Sequence, residues 1–230
     1  MRSSQIKLTG MLALLVAMLS AQVSYAYMFT VTMDTTPLIG SPFAIDFQLS
    51  DGNLSFLGDG NNTVTISGFN VDGALPVAIG TPTFSGGGVG PNSGDLSSSV
   101  ILTDSDPNFN AFRQSFMPGS SLSFTVSLNP NISVDELVTP DVFSFFIYNG
   151  TGSKIATTGP ANAFFYFDIN SANPAVHTYS RVSPYSDMEP NIGGSAVPEP
   201  ATSAMFLIGG ALMAWPIIRR RRLSSALCQD

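Results

Sequence analysis

His177 is the only histidine in 230 residues, and Cys228 is the only cysteine. A Ser-His-Asp relay would have to use His177 as its base. Its neighbours Val176, Thr178, Tyr179 and Ser180 form no nucleophile elbow, and Gly-x-Ser-x-Gly occurs nowhere. One histidine with no cysteine in the body also falls short of the usual zinc ligand set. A lone histidine on a strand is more often structural than catalytic, so no catalytic residue is assigned and no resident cofactor is expected. Oxygen ligands are more plentiful. Asp51-Gly52-Asn53 with Asp59-Gly60-Asn61-Asn62, and Asp104-Ser105-Asp106-Pro107-Asn108, gather carboxylates and amides at loop positions, as calcium requires. Neither stretch has EF-hand spacing. Tight turns use the same residues, because Asp-Gly and Asn-Gly supply positive φ and Asp-Pro opens a turn. Turns are the favoured reading, with calcium at Asp51, Asp59, Asp104 and Asp106 as the alternative. Tyr25, Tyr27, Tyr148, Tyr166, Tyr179 and Tyr185 include candidates for stacking on sugar rings, although aromatic residues in a β protein usually pack a core.

The composition limits what such residues could serve. The chain is 44% hydrophobic and 10% aromatic but only 11% charged, with 21 Gly and 16 Pro. That is neither a disordered acidic tail nor a basic nucleic-acid binder. Between Tyr27 and Ala196 the basic residues are Arg113, Lys154 and Arg181, against fourteen Asp and Glu. Duplex DNA and anionic lipid are poor partners for so acidic a body. With its one cysteine at position 228, the body has no disulfide and must be held by its core.

The two ends differ from the body. Residues 1–26 read as a secretory signal: basic Arg2 and Lys7, an apolar stretch from Leu8 to Leu19, and small Ser24 and Ala26 around Tyr25. Cleavage after Ala26 leaves Tyr27 as the mature start, with the Sec translocon and signal peptidase as partners. The apolar run of about a dozen residues is short of the ~20 that span hydrocarbon. Near the other end, Pro200 to Ile218 carries no charge, and a helix over 201–218 would cover roughly one bilayer core. Arg219, Arg220, Arg221 and Arg222 follow directly and would stay cytoplasmic, placing the preceding domain outside the inner membrane. Residues 223–230 would be a cytoplasmic tail. Before the helix stands Val197-Pro198-Glu199-Pro200, whose prolines favour an extended backbone.

In its order of Pro-Glu-Pro, one hydrophobic helix and an arginine cluster, this C-terminal segment of 197–222 resembles the PEP-CTERM sorting signal of Gram-negative bacteria. The resemblance implies recognition by exosortase, an integral-membrane cysteine transpeptidase, followed by release or transfer to an acceptor in the envelope. Pro198, Glu199 and Pro200 carry over as the recognition motif, and Arg219 to Arg222 as the topological stop. Such systems accompany exopolysaccharide and biofilm formation. The eight residues after the arginines depart from the usual pattern, in which chains end close to the basic cluster. Asn108 to Phe124 and Pro140 to Phe145 are also similar to ectodomains of PEP-CTERM proteins, which implies a shared β-rich module of no stated activity.

The elements that must position these residues are strands. Phe43, Ile45, Phe47 and Leu49 alternate with Ala44, Asp46 and Gln48, which puts the first four on one face. Val64 with Ile66, and Leu122, Phe124, Val126 and Leu128, repeat the pattern. Val142 to Tyr148 and Ala163 to Ile169 are nearly continuously apolar and are expected to be central strands buried on both sides. Further strands are expected at Phe29–Met33, Leu75–Ile79, Ser99–Thr103, Asn110–Phe116 and Thr178–Val182. About ten strands with turns at sandwich spacing predict an all-β, antiparallel, jelly-roll-like β-sandwich over 27–182. Gly86 to Gly90 reads as a loop and 183–196 as a flexible linker. Outside the sandwich, an N-terminal signal-peptide helix and one C-terminal transmembrane helix complete the expected architecture. The body then reads as a non-enzymatic surface or matrix protein. A lectin-like module binding exopolysaccharide, with calcium at an Asp/Asn loop, is the alternative, and a secreted hydrolase has the least support.

Overall fold

A computed structural model describes residues 25–52, 62–86, 92–104, 110–129, 140–169, 175–182 and 188–198. Among these residues no helix is long and apolar enough to cross a membrane. The signal-peptide helix and the C-terminal transmembrane helix fall on 1–24 and 199–230, outside the described residues. Tyr25 to Val197 forms one compact unit.

That unit is all-β. Its strands are β1 (Tyr25–Asp34), β2 (Phe43–Ser50), β3 (Thr63–Val71), β4 (Val77–Ser85), β5 (Ser93–Gly94) and β6 (Ser99–Thr103). They continue with β7 (Asn110–Met117), β8 (Ser121–Asn129), β9 (Asp141–Tyr148), β10 (Phe165–Ile169), β11 (Ala175–Thr178) and β12 (Asn191–Pro198). Two short 3-10 turns, Thr36–Leu38 and Pro160–Asn162, link them. One six-stranded sheet runs β12-β1-β8-β3-β6-β5 and the other β11-β10-β9-β2-β7-β4. Three antiparallel pairs nest inside one another: β1 with β8, β2 with β7, and β3 with β6. The chain thus folds back on itself as one long double ribbon laid across both sheets.

Period-two alternation decides which side of each strand meets the other sheet. Ile45, Phe47 and Leu49 of β2 are fully buried, as are Val64 and Ile66 of β3 and Leu122 and Val126 of β8. Phe47 sits at the centre, its ring 5.4–6.1 Å from those of Phe69, Phe112, Phe124, Phe143 and Phe145. Phe69 and Phe124 belong to the first sheet and the others to the second, so edge and stacked ring contacts tie the layers together.

Several expectations need correcting. β9 and β10 are not buried on both sides: Val142, Ser144 and Tyr148, then Tyr166 and Asp168, are only half-buried. Antiparallel sheets of a two-layer sandwich have one face without a covering layer, and these residues lie on it. The strand expected at Thr178–Val182 is instead Ala175–Thr178, and that expected at Leu75–Ile79 runs Val77–Ser85. In β4 the register slips between Ile79 and Thr83, where Gly80 takes φ 70°, so the strand continues past an interruption that reads as its end. Most of the latter half of the expected linker is strand, because β12 covers Asn191–Pro198 and pairs beside β1.

Candidate functional site

The residues of the N-terminal junction lie in β1, which begins at Tyr25, before the expected cut after Ala26. Tyr27 is 3% exposed and belongs to the core. At the other junction, Val197 and Pro198 end β12, an extended edge strand. Glu199, Pro200 and Arg219 to Arg222 lie outside the described residues.

Asp51 and Asp104, from the two oxygen-rich loops, come to the same end of the sandwich; Asp59 and Asp106 lie outside the described residues. Asp104 is fully buried, and both its carboxylate oxygens accept the Asn62 amide, at 3.2 and 3.0 Å. The Asn62 side chain donates to Asp141 Oδ2 at 2.7 Å, and the Gly52 amide donates to Asp141 Oδ1 at 2.8 Å. The result is a clasp joining the ends of β2 and β6 to the starts of β3 and β9, with carboxylates satisfied by amides. Among the described residues no group of three or more Asp, Glu, His or Cys is placed to hold a metal. Asp141, which completes the clasp, was not among the expected oxygen ligands; as the first residue of β9 its role depends on pairing across the sheet.

His177 lies on β11, directly opposite Tyr166 of β10. Its Nε2 is 3.1 Å from Asp168 Oδ2, and its ring stacks on Tyr166 with centroids 4.4 Å apart. Tyr179 adds a third ring, 5.9 Å from Tyr166. A hydrogen bond with Tyr179, with smaller contributions from burial and nearby charge, pushes the Tyr166 phenol up to about 12. This ladder of three rings beside a carboxylate stands on the outer face of the second sheet, near its β11 edge.

The same face carries a second cluster that sequence reasoning missed. Asp46, mid-way along β2, is 1% exposed. Arg113 Nε donates to its Oδ2 at 2.7 Å, and Gln48 Nε2 donates to its Oδ1 at 2.8 Å. The Arg113 guanidinium lies 3.6 Å from the centre of the Tyr148 ring, and Lys154 Nζ 3.5 Å from that of Phe146. Burial pushes the Asp46 carboxyl up, opposed by Arg113 and Gln48. Burial likewise raises the Tyr148 phenol, with Asp46 adding to it, and lowers the Lys154 ammonium. Two of the body's three basic residues therefore meet over one buried acid and two aromatic rings. The available signal was Asp46 itself, an acid inside a strongly alternating strand.

The arrangement can do two things chemically. It offers aromatic rings with hydrogen-bonding groups on an uncovered sheet face, and it places the leading residues of a C-terminal motif at the end of an edge strand. No curated protein and no solved structure matches the chain significantly. Residues 196–222 match the family model of the PEP-CTERM protein-sorting motif, so the chain carries that sorting motif, beginning within β12.

Proposed function

We propose that the chain is an exported, non-enzymatic surface or matrix protein, held at the inner membrane as a precursor and processed by exosortase. The observation that carries this reading is the sorting-motif match at 196–222, directly after an all-β body. In the full scheme, 1–26 is removed by signal peptidase after Sec export, and 201–218 is the transient membrane helix. Arg219 to Arg222 hold its cytoplasmic end, and the mature form stands at the cell surface among exopolysaccharide. The nested strand pairing supports taking the sandwich as a jelly roll. The intact mass of the protein from producing cells, with and without exosortase, tests the scheme. A species from Tyr27 to the region of Val197–Pro200, found only with the enzyme, is expected. Full-length chain in both strains overturns it. Pro198→Ala combined with Glu199→Ala is expected to leave a full-length species in the inner membrane.

A second reading, a lectin-like module for polysaccharide, is favoured by the Tyr166–His177–Tyr179 ladder beside Asp168. Ring faces pack on sugar C–H surfaces, and a carboxylate accepts from hydroxyls. Tyr166→Ala should then abolish retention on the producer's own polysaccharide while leaving the melting temperature within a few degrees. If calcium assists at the Asp51 and Asp104 loops, millimolar calcium raises the melting temperature through binding to the folded state. Absence of both retention and shift ends this reading.

A further inference from the structure

The register between β12 and β1 can be read from three contacts. Thr32 Oγ1 donates to the Asn191 carbonyl at 3.4 Å. A Cβ placed on Gly194 would meet the Phe29 ring at 2.3 Å and the Met28 carbonyl at 3.1 Å. Ile192, between them in sequence, packs against the core as Val31 does. Residue numbers rise on β12 as they fall on β1, so the strands are antiparallel, with 191 opposite 32 and 194 opposite 29. Continued by three residues, this register sets Ala196, where the family match begins, opposite Tyr27, and Val197 opposite Ala26. Directly opposed residues in such a pair are about 4.5–5.5 Å apart at Cα.

We infer that β12 is a strap holding the leading residues of the sorting motif against the start of β1, and that the motif is cut only when the strap lifts. This rests on reading the C-terminal end as a processed signal. Enzymes that cut or transfer an extended peptide bind the same backbone N–H and C=O groups that a sheet uses. Alternate residues of an antiparallel strand bond its partner through both N–H and C=O, so the groups that β12 bonds to β1 beside Tyr27 are withheld from such an enzyme, and cleavage follows the opening equilibrium of β12. The strap is lightly held: of its residues with described side chains, Ile192 alone packs against the core, and only partly.

The test uses full-length protein in detergent with Cys228→Ser. Thr30→Cys with Gly193→Cys reads the register, since a side chain at Gly193 meets open space and Thr30 is exposed. Met28→Cys with Ser195→Cys locks the strap closer to the motif. A proline-specific endoprotease that accepts intact proteins is the probe, and it hydrolyses the bond after Pro198: the C–N bond breaks, and water gives OH to the new carboxyl of Pro198 and H to the new amine of Glu199. Both disulfides should form on oxidation. The oxidised Met28–Ser195 pair should be cut after Pro198 at least tenfold more slowly than the same protein reduced, read by mass. Failure of either disulfide to form, or equal cutting oxidised and reduced, overturns the strap. Processing in cells that is indifferent to exosortase would instead overturn the sorting reading and leave the strap standing.

Discussion

Arg113 keeps a buried charge tolerable. Asp46 has a side chain 2% exposed and Arg113 one 41% exposed, so the carboxylate carries most of the desolvation and the guanidinium can still reach water. Arg113→Ala leaves that charge with Gln48 as its remaining donor, and should cost about 1–3 kcal/mol at pH 7, below the range for a fully buried pair because water can enter the vacated place. Because burial raises the Asp46 pKa, its protonated form is favoured in the fold. That contribution is fully present below the unfolded value of 3.8 and is lost as pH rises through the raised one. The penalty of Arg113→Ala, measured by urea unfolding, should therefore shrink as the pH is lowered. Asp72 behaves in the opposite sense. The Ser120 hydroxyl and amide, with Ser121, hold its carboxyl down at about 2, so its contribution is present above 3.8 and lost as pH falls towards about 2. Asp72→Asn should flatten the urea midpoint between about pH 4 and 2; Asn is the apt replacement because residue 72 has φ 53°. Residue types alone indicated the oxygen-rich loops and the lone histidine. They did not reveal that Asp46 sits under Arg113, because that partnership joins strands 67 residues apart.

At the scale of elements, the strands with strong alternation were legible: β2, β3 and β8 lie where the apolar spacing puts them, and β6 and β7 fall within a residue of their expected spans. Those strands present an apolar face to the core, and burial selects for that spacing. β12 was not legible, because Asn191, Gly193, Gly194 and Ser195 give no alternation to read. Its pairing is a backbone matter, and Gly194 is there because any side chain would strike the Phe29 ring. β11 was displaced for a related reason: on an edge, His177 packs on Tyr166 from outside the core. The ring cluster shows where cohesion between elements is concentrated. Phe47→Ala removes a ring in contact with five others from both sheets, and should lower stability by about 3–5 kcal/mol in urea unfolding, more than any single edge substitution. Gly194→Val should leave that core stability nearly unchanged while raising the rate of cutting after Pro198.

Taken as a whole molecule, the body holds together without a covalent tie, since the one cysteine is Cys228. Its melting temperature should be the same with and without reductant, and a drop of several degrees would show a cross-link that the sequence does not contain. The class of fold could be read from composition and period; the partnership of strands could not, because local spacing carries no information about which distant edge a strand joins. The nested pairing has a temporal side as well. A further seam outside those nested pairs joins β1, the first strand of the body, to β12, the last of its described strands. No partial chain can close that seam, and contacts of such long separation form slowly. Until the final strand arrives, the β1 edge that β12 covers stays open to pairing with other chains.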